Sequence, residues 1–169
     1  MCIPPFIRSV FGFSDYDPSN TSPRVFSSEL EFAAVANDTI SLLKLLKTAT
    51  KEDIDNSEAI CHFVVHGNFY AVEVLIEKGA DLNVQVKTEL GLFTPLALLV
   101  NNESITRYPK LGHFCIDQMA ALLVKNGADF ENVETALGQN GNVSLLVYVK
   151  NQGYEEWQKA ILDRKTSID

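Results

Sequence analysis

The sequence predicts an all-α protein in which helix-turn-helix repeats stack as an α-solenoid, with short extended fingers between them. Gly-Ala-Asp ends an apolar, helix-period segment twice, at 79–81 and at 127–129. Gly67 precedes the first of these motifs by twelve positions, and Gly141 precedes Gly153 by twelve as well. Internal similarity at a regular spacing is typical of repeat architectures, in which each unit buries its apolar face only against its neighbours.

The composition is that of a globular protein with an acidic surface. The chain has 169 residues, 46% of them apolar, which favours one domain or one domain with an arm. Its formal net charge of −8 disfavours nucleic acid and anionic lipid as ligands and favours a partner protein with a basic surface. No apolar run approaches the ~20 residues of a membrane span. The three cysteines, an odd and small number, fit a reducing compartment, so we expect a cytoplasmic protein.

Residues 1–27 are a predicted arm outside the repeats. Positions 14–24 are rich in Ser, Asp, Asn and Pro, which favour turns and open chain. Apolar side chains precede them at Phe6, Ile7, Val10, Phe11 and Phe13. Such an arm is flexible and docks on another molecule, or it packs back on the fold, and the sequence leaves both outcomes open.

The repeat array is predicted to cover residues 28–153, and its first copy is a short helix pair. Ser28 and Glu31 have the capping-box spacing that starts a first helix. A turn at 36–38 then leads to a second helix over 39–47, where apolar residues recur at helical spacing. Such a pair cannot bury its apolar face alone, so it predicts a neighbour.

The second and third copies follow the same plan. The second has helices over 58–65 and 69–78, and Gly79 supplies the left-handed residue that ends it. In the third copy, Thr94 can cap the first helix and Pro95 takes the first helical position, where no amide donor is needed. The second helix of that copy is predicted over 116–126, so a twelve-residue insertion lies within 101–118.

The fourth copy is the weakest. We predict its first helix within 133–141 and its second within 143–153, each ending at a glycine. The segment after Gly127 is then too short for a finger, so this copy is predicted to lack a hairpin. Residues 154–169 are predicted as a capping helix and tail, because Trp157 and Ile161 fall on one helical face.

These motifs resemble the ankyrin-repeat family. The matching segments are TPLALL at 94–99, GADLN at 79–83, GADF at 127–130 and the nearly complete second half at 66–83. The array is degenerate, because the family usually has His after Thr-Pro-Leu, where this chain has Glu31, Cys61 and Ala97. The resemblance implies a non-catalytic module that binds a partner protein through its concave face and fingers. The chain is also similar to small ankyrin effectors of intracellular bacteria, which implies virulence and action in a host cytosol.

The resemblance and the insert together supply the predicted partner-binding residues. The family's concave face and fingers map to Val35, Val65, His66, Lys87, Leu90, Phe93, Asn101 and Asn102. The insert adds Arg107, Tyr108, Lys110 and Phe114, which include residue types enriched at binding hot spots, in a loop of a length that is often functional. For the apolar positions the alternative interpretation is that they belong to the core.

Two other kinds of chemistry are weaker interpretations. Cys61, His62, His66, His113 and Cys115 invite a zinc site, but only His62 and His66 share a helix face, so we predict no metal and no cofactor. We expect the cysteines to be core residues and the histidines to be partly exposed. The alternative functions are a small enzyme with Cys61 or Cys115 as nucleophile, and a self-associating scaffold.

Overall fold

Helices dominate the structure, as the sequence predicts. The computed structural model describes residues 28–88, 91–105, 111–131, 134–136 and 142–167, and the predicted arm at 1–27 lies outside them. In chain order, the described residues contain nine helices and four short strands: α1 Glu29–Val35, α2 Thr39–Leu45, α3 Lys51–Asn56, α4 Ala59–His66, α5 Phe69–Glu77, β1 Val86–Thr88, β2 Gly91–Phe93, α6 Pro95–Ile105, α7 His113–Lys125, β3 Glu134–Ala136, β4 Asn142–Ser144, α8 Leu145–Gln152 and α9 Glu155–Thr166.

Eight of these helices form four pairs, α1 with α2, α4 with α5, α6 with α7 and α8 with α9. In three pairs, the cap residue of the first helix precedes a left-handed residue by nine positions: Ser28 and Asn37, Glu58 and Gly67, Ser144 and Gly153. The φ angles of the three left-handed residues are 54°, 67° and 72°. The chain therefore reverses after each of these first helices through a turn of one kind.

Two backbone hydrogen bonds close this turn. The amide of Gly67 donates to Val64 O at 3.0 Å, and the amide of Asn68 donates to Phe63 O at 3.0 Å. Asn37 and the residue after it make the equivalent bonds. This Schellman arrangement satisfies carbonyls that the end of the first helix would otherwise leave unpaired. Gly and Asn adopt the left-handed conformation at the lowest cost, which explains why they occupy the turn.

The fourth pair lies about twelve residues further along the chain than the sequence predicts. Residues 134–136 and 142–144 are the antiparallel strands β3 and β4, so the prediction of a first helix here without a hairpin is wrong. Gly153 is the turn inside the α8–α9 pair and does not end a second helix. The helix predicted as a cap is α9, the partner of α8. Short apolar segments fit a strand as well as a helix, so glycine spacing alone placed this copy wrongly.

The Gly-Ala-Asp motif ends a second helix through its backbone conformation and its carboxylate. Gly79 has a φ of 79°, and its amide and the following one make the same pair of bonds as at Gly67. The carboxylate of Asp81 accepts a hydrogen bond from the amide of Asn83 at 2.9 Å. The carboxylate of Asp129 likewise accepts one from the amide of Glu131 at 3.0 Å. The motif therefore combines a helix stop with an Asx turn.

Side-chain oxygens link one loop to the next. Asp55 Oδ1, at the end of α3, accepts a hydrogen bond from the amide of Asp81 at 2.8 Å. Asn83 Oδ1 accepts one from the amide of Asp129 at 2.7 Å. The amide of the Asp in each Gly-Ala-Asp motif thus donates to a side-chain oxygen of the preceding loop. These two hydrogen bonds connect successive loops to each other.

The apolar faces of the pairs form one continuous core. Helices α1, α4 and α6 pack in a row, and α9 packs along α7. The fully buried large side chains come from all four pairs, and they include Leu42, Phe63, Leu75, Leu99, Leu123 and Trp157. Complete burial of one such side chain contributes about 1.5–3 kcal/mol. The stability of each pair therefore depends on the surface that its neighbour covers.

A buried carboxylate of α7 caps the start of α9. Helix α9 has no capping side chain of its own at Tyr154. Instead, the carboxylate of Asp117 accepts hydrogen bonds from the amides of Glu156 at 3.1 Å and Trp157 at 2.8 Å. These are first-turn amides that have no partner within their own helix. The negative charge also lies at the positive end of the α9 dipole.

The reverse contact joins the other ends of the same two helices. Arg164 of α9 donates to Val124 O at 3.1 Å and to Ala128 O at 2.6 Å, where α7 ends. Its guanidinium also lies over the ring of Phe130, at 5.3 Å from the centroid. Helices α7 and α9 therefore run parallel, and a charged side chain of each one interacts with backbone groups at an end of the other.

We predict that Asp117→Ala lowers the free energy of unfolding by about 2 kcal/mol, because the amides of Glu156 and Trp157 lose their acceptor. Asp117→Asn keeps one acceptor oxygen, so its loss should be smaller. Urea unfolding monitored by the fluorescence of Trp157 measures both. Asp163→Ala is the matched control, since Asp163 is exposed on α9, the helix that Asp117 caps, and it should change stability by less than about 0.5 kcal/mol. Equal losses for Asp117→Ala and the control would contradict the capping role.

Candidate functional site

Four side chains predicted to contact a partner on the concave face are buried. Val35, Val65 and Asn101 each lie seven residues after the cap of a first helix, and none is more than 3% exposed. Phe93 of β2 is buried as well. Contrary to the prediction, these four are not available to a partner. The first helices pack in a row, so this position faces the neighbouring pair, as in the alternative interpretation that places it in the core.

Three predicted contact residues have described side chains that reach the surface. His66 is half-buried, with Nε2 at 3.3 Å from Val35 O, while Lys87 and Phe114 are exposed. The remaining predicted contacts lie outside the described residues, namely Leu90, Arg107, Tyr108, Lys110 and the side chain of Asn102. Among the described residues, the predicted contacts that reach the surface therefore lie in the first finger, at the turn that follows His66 and at the end of the insert.

The first finger presents an apolar side chain that the sequence analysis misses. In the β1–β2 hairpin, Lys87 pairs with Leu92, and Val86 pairs with Phe93. Successive side chains of a strand point to opposite faces. Accordingly Val86 and Phe93 are buried, whereas Lys87 and Leu92 are exposed, Leu92 to 63%. Buried and exposed side chains alternate along the two strands of the hairpin. Applied to the sequence, this alternation would have identified Leu92, and not Phe93, as the exposed residue.

The end of the insert packs against the turn of the second pair. A Cβ atom added at Gly67 would overlap Leu111 Cδ2, so Leu111 lies directly on this turn. Helix α7 begins at His113, three residues before the predicted start at 116. The ring of His113 stacks on Tyr154 with centroids 4.3 Å apart, and its Nε2 lies 3.0 Å from Gln152 O. The insert thus ends in a turn of helix that touches both neighbouring pairs.

A second set of exposed apolar side chains lies at the starts of the second helices. Ile40 of α2, Tyr70 of α5 and Phe114 of α7 are 69%, 56% and 73% exposed. Only Phe114 is among the residues predicted from the sequence. Each of the three lies two residues after the cap of its helix, at Asp38, Asn68 and Gly112. The repeat alignment carries this signal, but it becomes clear only when the helix starts are known.

The described thiols and imidazoles differ in their exposure to solvent. Cys61 is fully buried, and this burial, with smaller contributions from the charges of Glu58 and Asp81, raises the pKa of its thiol well above the ordinary value. A thiol without thiolate character is a poor nucleophile. Cys115 is half-buried. His62 is buried, contrary to the expectation that the histidines are partly exposed.

The described residues also bear on metal ions and membranes. They contain no group of three or more His, Cys, Asp or Glu side chains arranged to hold a metal ion. Within the same part of the chain, no helix combines the length and the apolar content required to cross a membrane.

Comparison of the chain with models of protein families, with curated proteins and with solved structures gives no significant match.

We predict that Gly67→Ala destabilises the protein by more than about 1 kcal/mol, because the new methyl group adds a clash with Leu111 to the cost of a left-handed alanine. Gly79→Ala is the control: its φ is also positive, but nothing lies within 4 Å of the added Cβ. Thermal unfolding compares the two. In the double variant with Leu111→Ala, the excess loss at Gly67 should disappear. An equal effect of Gly67→Ala with and without Leu111 would show that the insert does not dock on this turn.

The thiol of Cys61 should be inert in the folded protein. In the variant Cys2→Ser/Cys115→Ser, Cys61 is the sole thiol, and we expect labelling by a water-soluble disulfide reagent at least about 100-fold more slowly than in urea, because the thiol reacts only after local unfolding. The variant Cys2→Ser/Cys61→Ala tests Cys115, which should label faster than Cys61. Rapid labelling of Cys61 in the native protein would revive it as a nucleophile.

Proposed function

We propose that this protein is a non-catalytic protein-binding module, built as an ankyrin-like α-solenoid of four helix pairs. The observation that carries the proposal is the repeated geometry. Nine residues separate the cap from the left-handed turn in three pairs, and Gly-Ala-Asp loops follow two second helices. Hairpins β1–β2 and β3–β4 precede α6 and α8, in the place where the ankyrin family has fingers. Repeat arrays of this kind leave their core interactions inside the stack and bind through the remaining surface.

The first connection departs from the family plan. Between α2 and α4, helix α3 stands where a finger would be expected, and Thr50 with Asp53 forms its capping box. Asp55 of α3 still provides the link to the next loop through the amide of Asp81. The departure therefore changes the surface near the first two pairs but preserves the spacing between loops.

The binding surface that we propose includes the first finger, the turn that follows His66 and the end of the insert. Leu92 exposes an apolar side chain with Lys87 opposite it on the hairpin, and Phe114 exposes an aromatic ring near Leu111. Large apolar side chains that contribute little to the core often mark an interface. The net charge of −8 supports a partner with a basic surface.

Action as a bacterial effector in a host cytosol stays a prediction from the family resemblance. The self-associating scaffold and the cysteine-dependent enzyme remain the alternatives. Burial of Cys61 with a raised pKa favours the binding module over an enzyme that uses this residue.

The test is capture of a partner by the full-length protein, from lysate of the producing organism and from host-cell lysate, followed by mapping with variants. We expect Leu92→Asp to reduce retention of the partner at least tenfold, because an apolar contact is replaced by a charge. Val147→Asp is the control, since Val147 is exposed on α8 and is not part of the proposed surface. Both variants should melt within a few degrees of the parent protein, as surface substitutions do.

Equal retention by Leu92→Asp and the control would contradict the finger as the binding surface. Failure to retain any protein reproducibly from either lysate would contradict the binding module itself. Self-association of the parent protein at micromolar concentration, lost in Leu92→Asp, would favour the scaffold.

A further inference from the structure

We propose a second interaction surface, the ledge, formed by Ile40, Tyr70 and Phe114, which binds an amphipathic α-helix of a partner protein. The partner helix carries one large apolar residue at every seventh position. This inference deepens the proposed function and rests on the chain being a protein-binding module. It shares Phe114 with the surface proposed above, adds Ile40 and Tyr70, and does not include Leu92 or the rest of the first finger.

The three residues of the ledge occupy one structural position. Each is the second residue of a second helix, two residues after a cap. Among the described residues, seven large apolar side chains are exposed, and three of the seven fall on this position. The three side chains therefore recur once in each of the first three pairs.

Folding does not explain apolar residues at this position. The first turn of a helix is stabilised by acidic side chains, which interact favourably with the helix dipole. Helix α9 follows this rule, with Glu155 and Glu156 as its first two residues. In the other three second helices a large apolar side chain takes the place of Glu156 and is exposed by more than half. These residues stabilise neither the helix start nor the core, which points to a role in binding.

The starts of α2 and α5 are joined by direct hydrogen bonds. Asn68 Nδ2, from the cap of α5, donates to Asn37 Oδ1 at 2.7 Å and to Thr39 Oγ1 at 2.8 Å. Asn68 Oδ1 also accepts from the amide of Ala71, which closes the first turn of its own helix. Asn68 therefore holds two neighbouring parts of the ledge in fixed relative positions.

The start of α7 is held next to the same turn. Leu111 packs on Gly67, one residue before Asn68, and lies three residues before Phe114. On the other side, His113 stacks on Tyr154. Ile40, Tyr70 and Phe114 are thus carried by three adjoining helix starts, so the ledge is preorganised for a ligand that crosses all three.

A partner α-helix suits a ledge that offers one side chain at each of three neighbouring helix starts. Packed helices generally lie about 8–10 Å apart, close to the rise of about 10.5 Å over seven residues of an α-helix. Apolar residues at i, i+7 and i+14 of a partner helix therefore meet the three side chains in turn. Lys44 follows Ile40 by one helical turn, and Glu73 lies in the turn after Tyr70, both exposed. The ligand should thus carry an acidic residue near its first contact and a basic residue near its second, with a positive net charge to match the −8 of the chain.

The experiment uses a fluorescein-labelled 21-residue probe peptide, rich in Ala and Lys, with Leu at positions 4, 11 and 18 (numbers chosen from the seven-residue repeat). We expect the full-length protein to raise its fluorescence anisotropy with a dissociation constant of roughly 10–100 µM. A control peptide of the same composition, with Leu at three positions on different faces of the helix, should bind at least tenfold more weakly. Comparable binding of both peptides would overturn the inference.

Tyr70→Glu is the decisive variant, because it introduces the residue type that α9 has at this position. The helix start should be as stable as before or more so, which separates loss of binding from loss of fold. We expect at least tenfold weaker binding of the probe, with an unchanged or higher melting temperature. Leu162→Glu is the control, since Leu162 is exposed on α9 outside the ledge, and it should leave binding unchanged. Equal effects of the two variants would overturn the ledge.

Two further outcomes would replace the partner helix with another occupant. Dimerisation of the parent protein in sedimentation, lost in Tyr70→Glu, would assign the ledge to a second copy. Displacement of the probe by a synthetic peptide of residues 1–27, with no displacement by a scrambled version, would assign it to the chain's own arm. Failure of the probe alone, while Leu92→Asp still reduces retention of a captured partner, would remove the ledge but leave the proposed function intact.

Discussion

The rest of the structure depends on the left-handed turn between the two helices of a pair. Asn37, Gly67 and Gly153 have a positive φ at the point where the chain reverses. At Asn37 and Gly67, two backbone hydrogen bonds close the end of the first helix. A first helix of seven or eight residues then lies beside its partner, too short to be stable alone. Such a pair has an apolar face that only another pair can cover, so stacking follows from the turn.

Hydrogen bonds to the backbone groups at the helix ends connect neighbouring pairs to each other. Short helices have a high proportion of first-turn amides and last-turn carbonyls without partners in their own helix. In this protein a neighbouring pair provides some of these partners: Asp117 accepts from first-turn amides of α9, and Arg164 donates to carbonyls where α7 ends. Asn68 caps its own helix α5 and also bonds to the Thr39 side chain at the start of α2. The same contacts that cap the helices therefore also hold the pairs in register.

This arrangement places the exposed residues of the two proposed surfaces in different parts of the fold. The first finger lies where α6 begins, and the ledge lies where α2, α5 and α7 begin. Helix α6 has eleven residues, so it extends about 16 Å from the finger at its start. The exposed apolar side chains at both places lie outside the core cluster, so they can take part in binding. A single partner long enough to contact both would gain affinity from each, and two partners could occupy them independently.

The sequence by itself determined the helical class, the first three pairs and the role of glycine at their ends, because these depend on local backbone preferences and on apolar periodicity. Thr94 is a clear case, since its hydroxyl accepts a hydrogen bond from the amide of Ala97 at 3.3 Å, as predicted. The same local signals failed at 133–153, where a short apolar run fits a strand and a helix equally well. Which side chains are exposed was decided only by the tertiary structure. Val35, Val65 and Phe93 are apolar residues that a neighbouring pair covers, whereas Ile40, Tyr70 and Phe114 are apolar residues that no described neighbour covers. Burial depends on what packs against a residue, and the residue's own chemistry does not contain that information.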